Sequence, residues 1–202
     1  MKNNKEKCIE YISQIFSFCV EAKIHFEVIT DVLGKSNFIK NIENSNYSYL
    51  NEKTPFEIFV EIFDKDFIDD NNYMKYDSSY WCGYVYSQIF YEYNKPFSYI
   101  FLKMPLEKLI NMYEIYHEMD IGQSFEQFEI EMNKETILRL LLKKHCISGA
   151  ELSRRTGVST ATINNMKKDD DALYNASFKI VQRIASTLDE PGNMFLERIN
   201  EL

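Results

Sequence analysis

The first 133 residues contain no arginine, and the whole chain of 202 residues has only 6 glycines, 4 prolines and 1 tryptophan. So few turn-formers leave little room for the many tight reversals of a sandwich or barrel. The cysteines, Cys8, Cys19, Cys82 and Cys146, include no C-x-x-C pair, and His25, His117 and His145 do not cluster with them. That spacing argues against a zinc site and against a disulfide framework, so no metal is expected. No apolar run approaches the roughly 20 residues of a membrane span, and the start is polar rather than a signal core. A cytoplasmic, reduced protein without membrane contact is the expectation. Also missing are G-x-S-x-G, a phosphate loop, Rossmann glycines and paired catalytic carboxylates. The chain therefore reads as no enzyme and as needing no cofactor.

What is present is a chain that can bury a core, with 45% hydrophobic and 27% charged residues. The apolar residues recur at three and four positions rather than two through most of its length, so the fold class is all-α. Charge and aromatics are unevenly spread. From Met1 to Asn133, 12 lysines stand against 22 acids, a balance of −10; from Lys134 to Leu202, 11 basic residues stand against 9 acids, a balance of +2. Of the 30 aromatic residues, 27 precede Lys134. Two stretches of such different chemistry predict two domains, 1–133 acidic and aromatic, 134–202 basic.

The basic stretch is locally explicit. Ile137, Leu140 and Leu141 make one apolar helical face. Ser148 is placed to cap a following helix, with Glu151 three residues on to reach back as in a capping box, and Leu152 facing inward. Gly157 suits the left-handed residue that ends such a helix, and Ser159 caps the next. Two short helices joined by a Gly-containing turn of about three or four residues form a helix-turn-helix.

Ala150, Leu152, Gly157, Val158, Ser159, Thr162 and Ile163 stand in the A-x-L-x-x-x-x-G-V-S-x-x-T-I pattern, and the run I-V-Q-R-I-A-S-T-L-D follows. Over Lys134 to Ile199 the chain thereby resembles XRE-type, phage-repressor-like helix-turn-helix regulators. The resemblance implies a five-helix DNA-binding domain whose second helix of the motif lies in the major groove of an operator. It assigns the groove face to Ser159, Thr160, Ala161, Asn164 and Asn165. With Ile163 and Met166 as the buried side, helical geometry points Ala161, Asn164, Asn165 and Lys168 outward. Thr162 belongs to the same stretch. Backbone N–H groups near Gly149 and Ala150 are expected on phosphate, helped by Lys143, Lys144, Arg154, Arg155 and Lys167. Lys134 to Lys168 holds 8 basic residues and 2 acids, the local excess that phosphate binding requires. The sequence departs from the family at Gly149 and Ala161, where many members carry an amide, and at Asp169 to Asp171, whose charge suits neither a helix C-terminus nor phosphates.

The first 133 residues predict six or seven helices. One runs from Lys5 to about Ala22 on a stripe of Ile9, Ile12, Phe16 and Cys19, and another from Phe26 to Leu33, stopped by Gly34. Thr54, Pro55 and Glu57 start one carrying Phe56, Phe59, Val60 and Phe63. Asp64 to Asp77 reads as an acidic loop, Tyr80 to Tyr93 as a helix, Pro96 and Pro105 each open another, and Ser124 with Gln127 has capping-box spacing. The run from Tyr80 to Phe101 holds too many aromatics for one stripe, so core packing with a partner surface at its rim is expected, with Tyr80, Trp81, Tyr84 and Tyr91 as partner-binding candidates. His117 and Glu118 are adjacent and share no face, so His117 reads as solvated or capping. Tyr80 to Phe125, with its W-x-G-Y, also resembles the front part of uncharacterised bacterial regulators carrying the same C-terminal module.

The expected function is a sequence-specific transcriptional repressor acting on double-stranded operator DNA as a homodimer. In that reading it is an antitoxin-like autoregulator whose acidic domain binds a protein partner, a toxin or nuclease. The alternative is a phage-encoded inhibitor of a host defence nuclease fused to an autorepressor module.

Overall fold

The computed structural model describes residues 3–63 and 76–195. Among them the regular structure is all-α: fourteen helices and a 3-10 turn, with no strand. Helix α1 (Asn4–Glu21) opens with a reciprocal capping box, the Asn3 side chain accepting from Glu6 N–H and the Glu6 carboxylate accepting from Asn3 N–H. Its buried stripe is Cys8, Ile12, Ile15, Phe16 and Cys19, one position around from the predicted stripe at Cys8 in place of Ile9.

Helix α2 (Phe26–Lys35) runs through Gly34 rather than stopping there. A Cβ on Gly34 would stand 3.3 Å from the Phe101 ring, so the glycine serves close packing inside the helix. The stop is Ser36. Its hydroxyl donates to Leu33 C=O at 2.7 Å and accepts from Ile39 N–H at 3.2 Å, so one residue ends α2 and caps α3 (Asn37–Glu43). Neither α3 nor the single turn α4 (Tyr49–Glu52) is foreshadowed by periodicity. Helix α5 (Pro55–Ile62) has the predicted start, with Thr54 and Glu57 in a capping box and Pro55 in the first turn.

Helix α6 (Tyr76–Tyr93) begins four residues before the predicted Tyr80, with Asp77 in its first turn, where negative charge suits the helix dipole. The rest of the expected loop, 64–75, lies outside the described residues. Helices α7 (Phe97–Lys103) and α8 (Leu106–Tyr116) do open after Pro96 and Pro105. Helix α9 (Ile121–Met132) starts earlier than Ser124: Asp120 caps it, accepting from Gly122 N–H at 2.8 Å, and Ser124 is buried within the helix. His117 is the C-cap of α8, its ring stacked 4.4 Å from that of Tyr113.

Helix α6 is the axis. It is flanked by α1, α7, α8 and α9, which resolves the excess of aromatics: nearly every face has a neighbour, so a single stripe is not needed. Tyr86 is fully buried, 4.8 Å edge-on to Phe101, and its hydroxyl donates to Met104 C=O at 2.8 Å. Phe90 stacks on Phe97 at 4.6 Å. Of the four predicted partner-binding residues only Tyr80 is exposed. Trp81, Tyr84 and Tyr91 are half-buried, Trp81 edge-on to Tyr113 and Tyr91 beneath the Lys5 ammonium.

The closest crossing is α1 on α6, and Gly83 of the W-x-G-Y run makes it possible. A Cβ there would lie 2.6 Å from Ser13 Cα and 2.9 Å from Ile12 C=O, both backbone atoms that cannot step aside. The buried apolar residues form one connected cluster from Cys8 to Phe195, so the core continues past residue 134.

Polar links cross that position. Lys144 bridges Asp31 at 3.0 Å and the buried Glu190 at 2.8 Å, while His145 Nε2 lies 2.7 Å from the same Glu190 oxygen. Glu43 accepts from Phe97 N–H at 2.8 Å and from the Asn193 amide at 2.7 Å. A further link joins Lys103 of α7 to the Glu135 carbonyl and the Asp170 carboxylate. At Asp31, burial pushes the carboxyl up but the hydrogen bond and charge of Lys144, with Lys35, outweigh it and hold the pKa below the ordinary 3.8.

Gly83→Val should destabilise the fold by about 1–3 kcal/mol through overpacking, read as a lower urea midpoint, whereas Gly192→Val, where a Cβ meets nothing within 4 Å, should not. Because Asp31 is depressed in the folded state, its stabilisation is present above the unfolded pKa and disappears as pH falls through the folded one. Asp31→Asn should therefore flatten the fall of the unfolding temperature between about pH 5 and pH 3, where linkage places the change.

Candidate nucleic-acid interface

Helix α10 (Ile137–Lys144) buries Ile137, Leu138, Leu141 and Leu142. The N-cap residue Thr136 offers its first turn no side-chain acceptor; instead Asp170, far along the chain, accepts from Ile137 N–H at 2.7 Å. The other oxygen of Asp170 takes the Lys103 ammonium at 2.6 Å. Lys103 has a side chain 1% exposed and also donates to Glu135 C=O at 2.5 Å, with the Tyr99 ring 5.6 Å away. Burial and the Asp170 charge push the Tyr99 phenol up to about 12, which keeps it neutral beside the lysine. The acidic run thus has a structural purpose. Asp170 both caps α10 and compensates a buried cation, while Asp169 accepts from Asp171 N–H at the entry to the single turn α13 (Asp171–Tyr174).

Helix α11 (Gly149–Thr156) is capped by Ser148, which accepts from Glu151 N–H at 3.1 Å. The reciprocal half of the expected box is not made. The Glu151 carboxylate instead takes Arg154 at 2.7 and 2.9 Å and Arg155 at 2.6 Å, and these bonds hold its pKa down at about 2. Gly157 ends the helix at φ 68°, the left-handed conformation predicted for it. The turn is pinned by Ser153, whose hydroxyl donates to Val158 C=O at 2.6 Å, and by burial of Val158.

Helix α12 (Thr160–Met166) follows, capped by Ser159, which accepts from Thr162 N–H at 3.1 Å. Ile163 and Met166 are buried, and α12 packs on α11 and α13. Ser159, Thr160, Ala161, Asn164, Asn165 and Lys168 are exposed and Thr162 is half-buried. The hydroxyls of Ser159 and Thr162 bond each other at 2.8 Å, and Thr160 lies 3.2 Å from Ser153, so three of the expected groove residues also shape the helix start. The side chains of Asn164 and Asn165 have no hydrogen-bond partner among the described residues, and both face solvent.

The remaining candidates divide sharply. Ala150 is exposed, but Gly149 is buried under Ile163 and Lys167; an added Cβ would lie 3.3 Å from Ile163 Cγ2. A small residue there lets α11 and α12 approach closely. Lys143 bonds both oxygens of Glu135, Lys144 belongs to the Asp31–Glu190 bridge, and Lys167 lays its stem over Gly149. Lys168 is exposed and unpaired among the described residues.

The basic residues expected from the sequence end at Lys168 and omit Lys179 and Arg183. These stand one turn apart on α14 (Phe178–Leu188), exposed, and with Arg155 they surround a shallow basic depression. Their i, i+4 spacing is the signal that could have found them.

Asp170 is the most consequential acid here. Asp170→Asn keeps an acceptor for Ile137 N–H but strands a buried ammonium, and should cost about 3–5 kcal/mol. Adding Lys103→Met should restore most of that stability in the same denaturation experiment, since the uncompensated charge is then gone.

Among the described residues no helix is long and apolar enough to cross a membrane. No curated protein and no solved structure matches the chain. Residues 137–191 match the model of the Cro/C1-type HTH DNA-binding domain, a span that runs from the first residue of α10 to Pro191. Residues 137–191 are thus a helix-turn-helix DNA-binding domain of the Cro/C1 type, which supports a role as a DNA-binding transcriptional regulator.

Proposed function

We propose that the protein is a sequence-specific, non-enzymatic repressor that reads operator DNA with α12 and acts as a homodimer on a two-fold site. The observation that carries this is the state of Asn164 and Asn165: two amides exposed and unbonded on a helix fixed from beneath by Ile163 and Met166. An asparagine pairs bidentately with adenine, and the Ala161 methyl beside them suits a thymine methyl, so A·T pairs are the preferred bases. Phosphate binding then falls to the start of α11 at Ala150, to Lys168, and to Lys143, Arg154, Arg155 and Lys167, with Lys179 and Arg183 extending the basic surface. Lys143, Arg154 and Arg155 reach phosphate only by exchanging their bonds to Glu135 and Glu151. Lys144 is left out because it already serves Asp31 and Glu190.

Residues 1–133 form the partner-binding half in this reading and 134–202 the DNA-binding half. A stretch at −10 is repelled by a duplex within the ~8 Å screening length. Its natural complement is a basic protein, and the reading is therefore antitoxin-like: a basic toxin held by the first part while the second represses its operon.

The test is binding of the full chain to its own promoter DNA and to a scrambled duplex. Asn164→Ala with Asn165→Ala should cost about 1–3 kcal/mol of discrimination for each adenine that an amide no longer pairs with, leaving the unfolding midpoint unchanged. The complex should weaken by orders of magnitude between about 50 and 200 mM salt if several phosphates are neutralised. Unaltered operator preference in the double variant would remove α12 as the reading helix.

A further inference from the structure

Away from α12, a cleft of ≈ 920 Å³ opens between α2, α7 and α8 on one side and α10 with residues 190–194 on the other. That size lies within the few hundred to about 1,000 Å³ usual for small-molecule sites. Its walls are largely apolar, with Val28, Val32, Phe101, Leu102, Leu140 and Met194 contributing. Ser98, 9% exposed, also lines it and carries a buried hydroxyl with no hydrogen-bond partner.

The charges of the wall are unequally satisfied. Asp31 holds Lys35 and Lys144, Glu190 holds Lys144 and His145, and Lys143 is bonded to Glu135. Each basic group of the wall therefore already has an acid. Glu27 and Glu107 do not have a cation. Both are exposed, each in the first turn of its helix, and neither has a hydrogen-bond or ion-pair partner among the described residues. An apolar chamber with two spare carboxylates and no spare cation attracts a positive charge on a greasy body.

We propose that this cleft binds a small lipophilic cation, its apolar body against the Val32, Leu102 and Met194 walls and its charge beside Glu27 and Glu107. An anion of equal shape would meet two bare carboxylates and only lysines that are already paired. Because the walls come from helices on both sides of residue 134, such a ligand ties α2 and α8 to α10 and stabilises the folded chain by mass action. Capture of a cation here does not depend on whether α12 docks on DNA.

The experiment is isothermal titration of the full chain with tetraphenylphosphonium and with tetraphenylborate, ions of one shape and opposite charge, paired with thermal unfolding. The phosphonium should saturate at one site per chain and raise the unfolding temperature, and the borate should bind more weakly. Glu27→Gln with Glu107→Gln, both at exposed positions, should weaken phosphonium binding by roughly fivefold, the size that two exposed ion pairs supply. Glu52→Gln with Glu129→Gln makes the same change in net charge on exposed surface outside the cleft and should leave binding unaltered. Borate binding as tightly as phosphonium, no saturable phosphonium binding, or equal weakening in the two double variants would each overturn the proposal.

Discussion

A lysine ammonium taken out of water is tolerated only if an opposite charge and hydrogen-bond acceptors compensate it, and Lys103 imposes that condition on the centre of this molecule. It belongs to α7, yet the groups that satisfy it, Asp170 and the Glu135 carbonyl, belong to the chain around the helix-turn-helix. Asp170 in turn closes the open first turn of α10. One carboxylate therefore sets the position of α10 relative to α7. Around it, Lys95 lies between the rings of Tyr99 and Tyr174 at 5.2 and 5.0 Å, a second cation shared across the same seam.

The front helices supply the counterpart to this seam. Helix α7 touches α2, α6, α9, α10 and the 3-10 turn Gly192–Phe195, and all of its seven residues except Leu102 are buried. A helix so enclosed transmits the packing of α6 directly to α10. The aromatics of α6 and α7 are accordingly structural: Tyr86, Phe90, Phe97 and Phe101 interlock with Phe16 of α1. Apart from Tyr80, what is left exposed and apolar lies elsewhere, notably Phe56 and Val60 on α5, Ile115 on α8, Ile130 on α9, and Phe178 at the start of α14.

Within the C-terminal third, the polar side chains follow a simple division of labour. Ser148, Ser153, Thr156 and Ser159 spend their hydroxyls on caps and on the turn, which fixes the angle between α11 and α12. Glu151 gathers two arginines that would otherwise repel one another at the end of α11. The two amides of α12 have no such internal task.

Much of this is legible in the residues themselves. Caps and glycines act through neighbours three or four positions away, so Thr54 with Glu57, Ser148, Gly157 and Ser159 declare their helix ends from local chemistry, and helical periodicity alone separates Ile163 and Met166 from Asn164 and Asn165. Helices α3 and α4 escape because they are too short to show a period, and Gly34 misleads because a ring from α7, not a helix end, requires the missing Cβ. The pairing of charges is beyond reach for the same reason. Electrostatic energy depends on distance in space, and Lys103 with Asp170 and Lys144 with Asp31 are separated by long stretches of chain and brought together only by the fold. The sequence determined the starts of α5, α11 and α12 and the helix-turn-helix over 137–191; tertiary structure alone decided which charges pair, because the partners lie far apart along the chain.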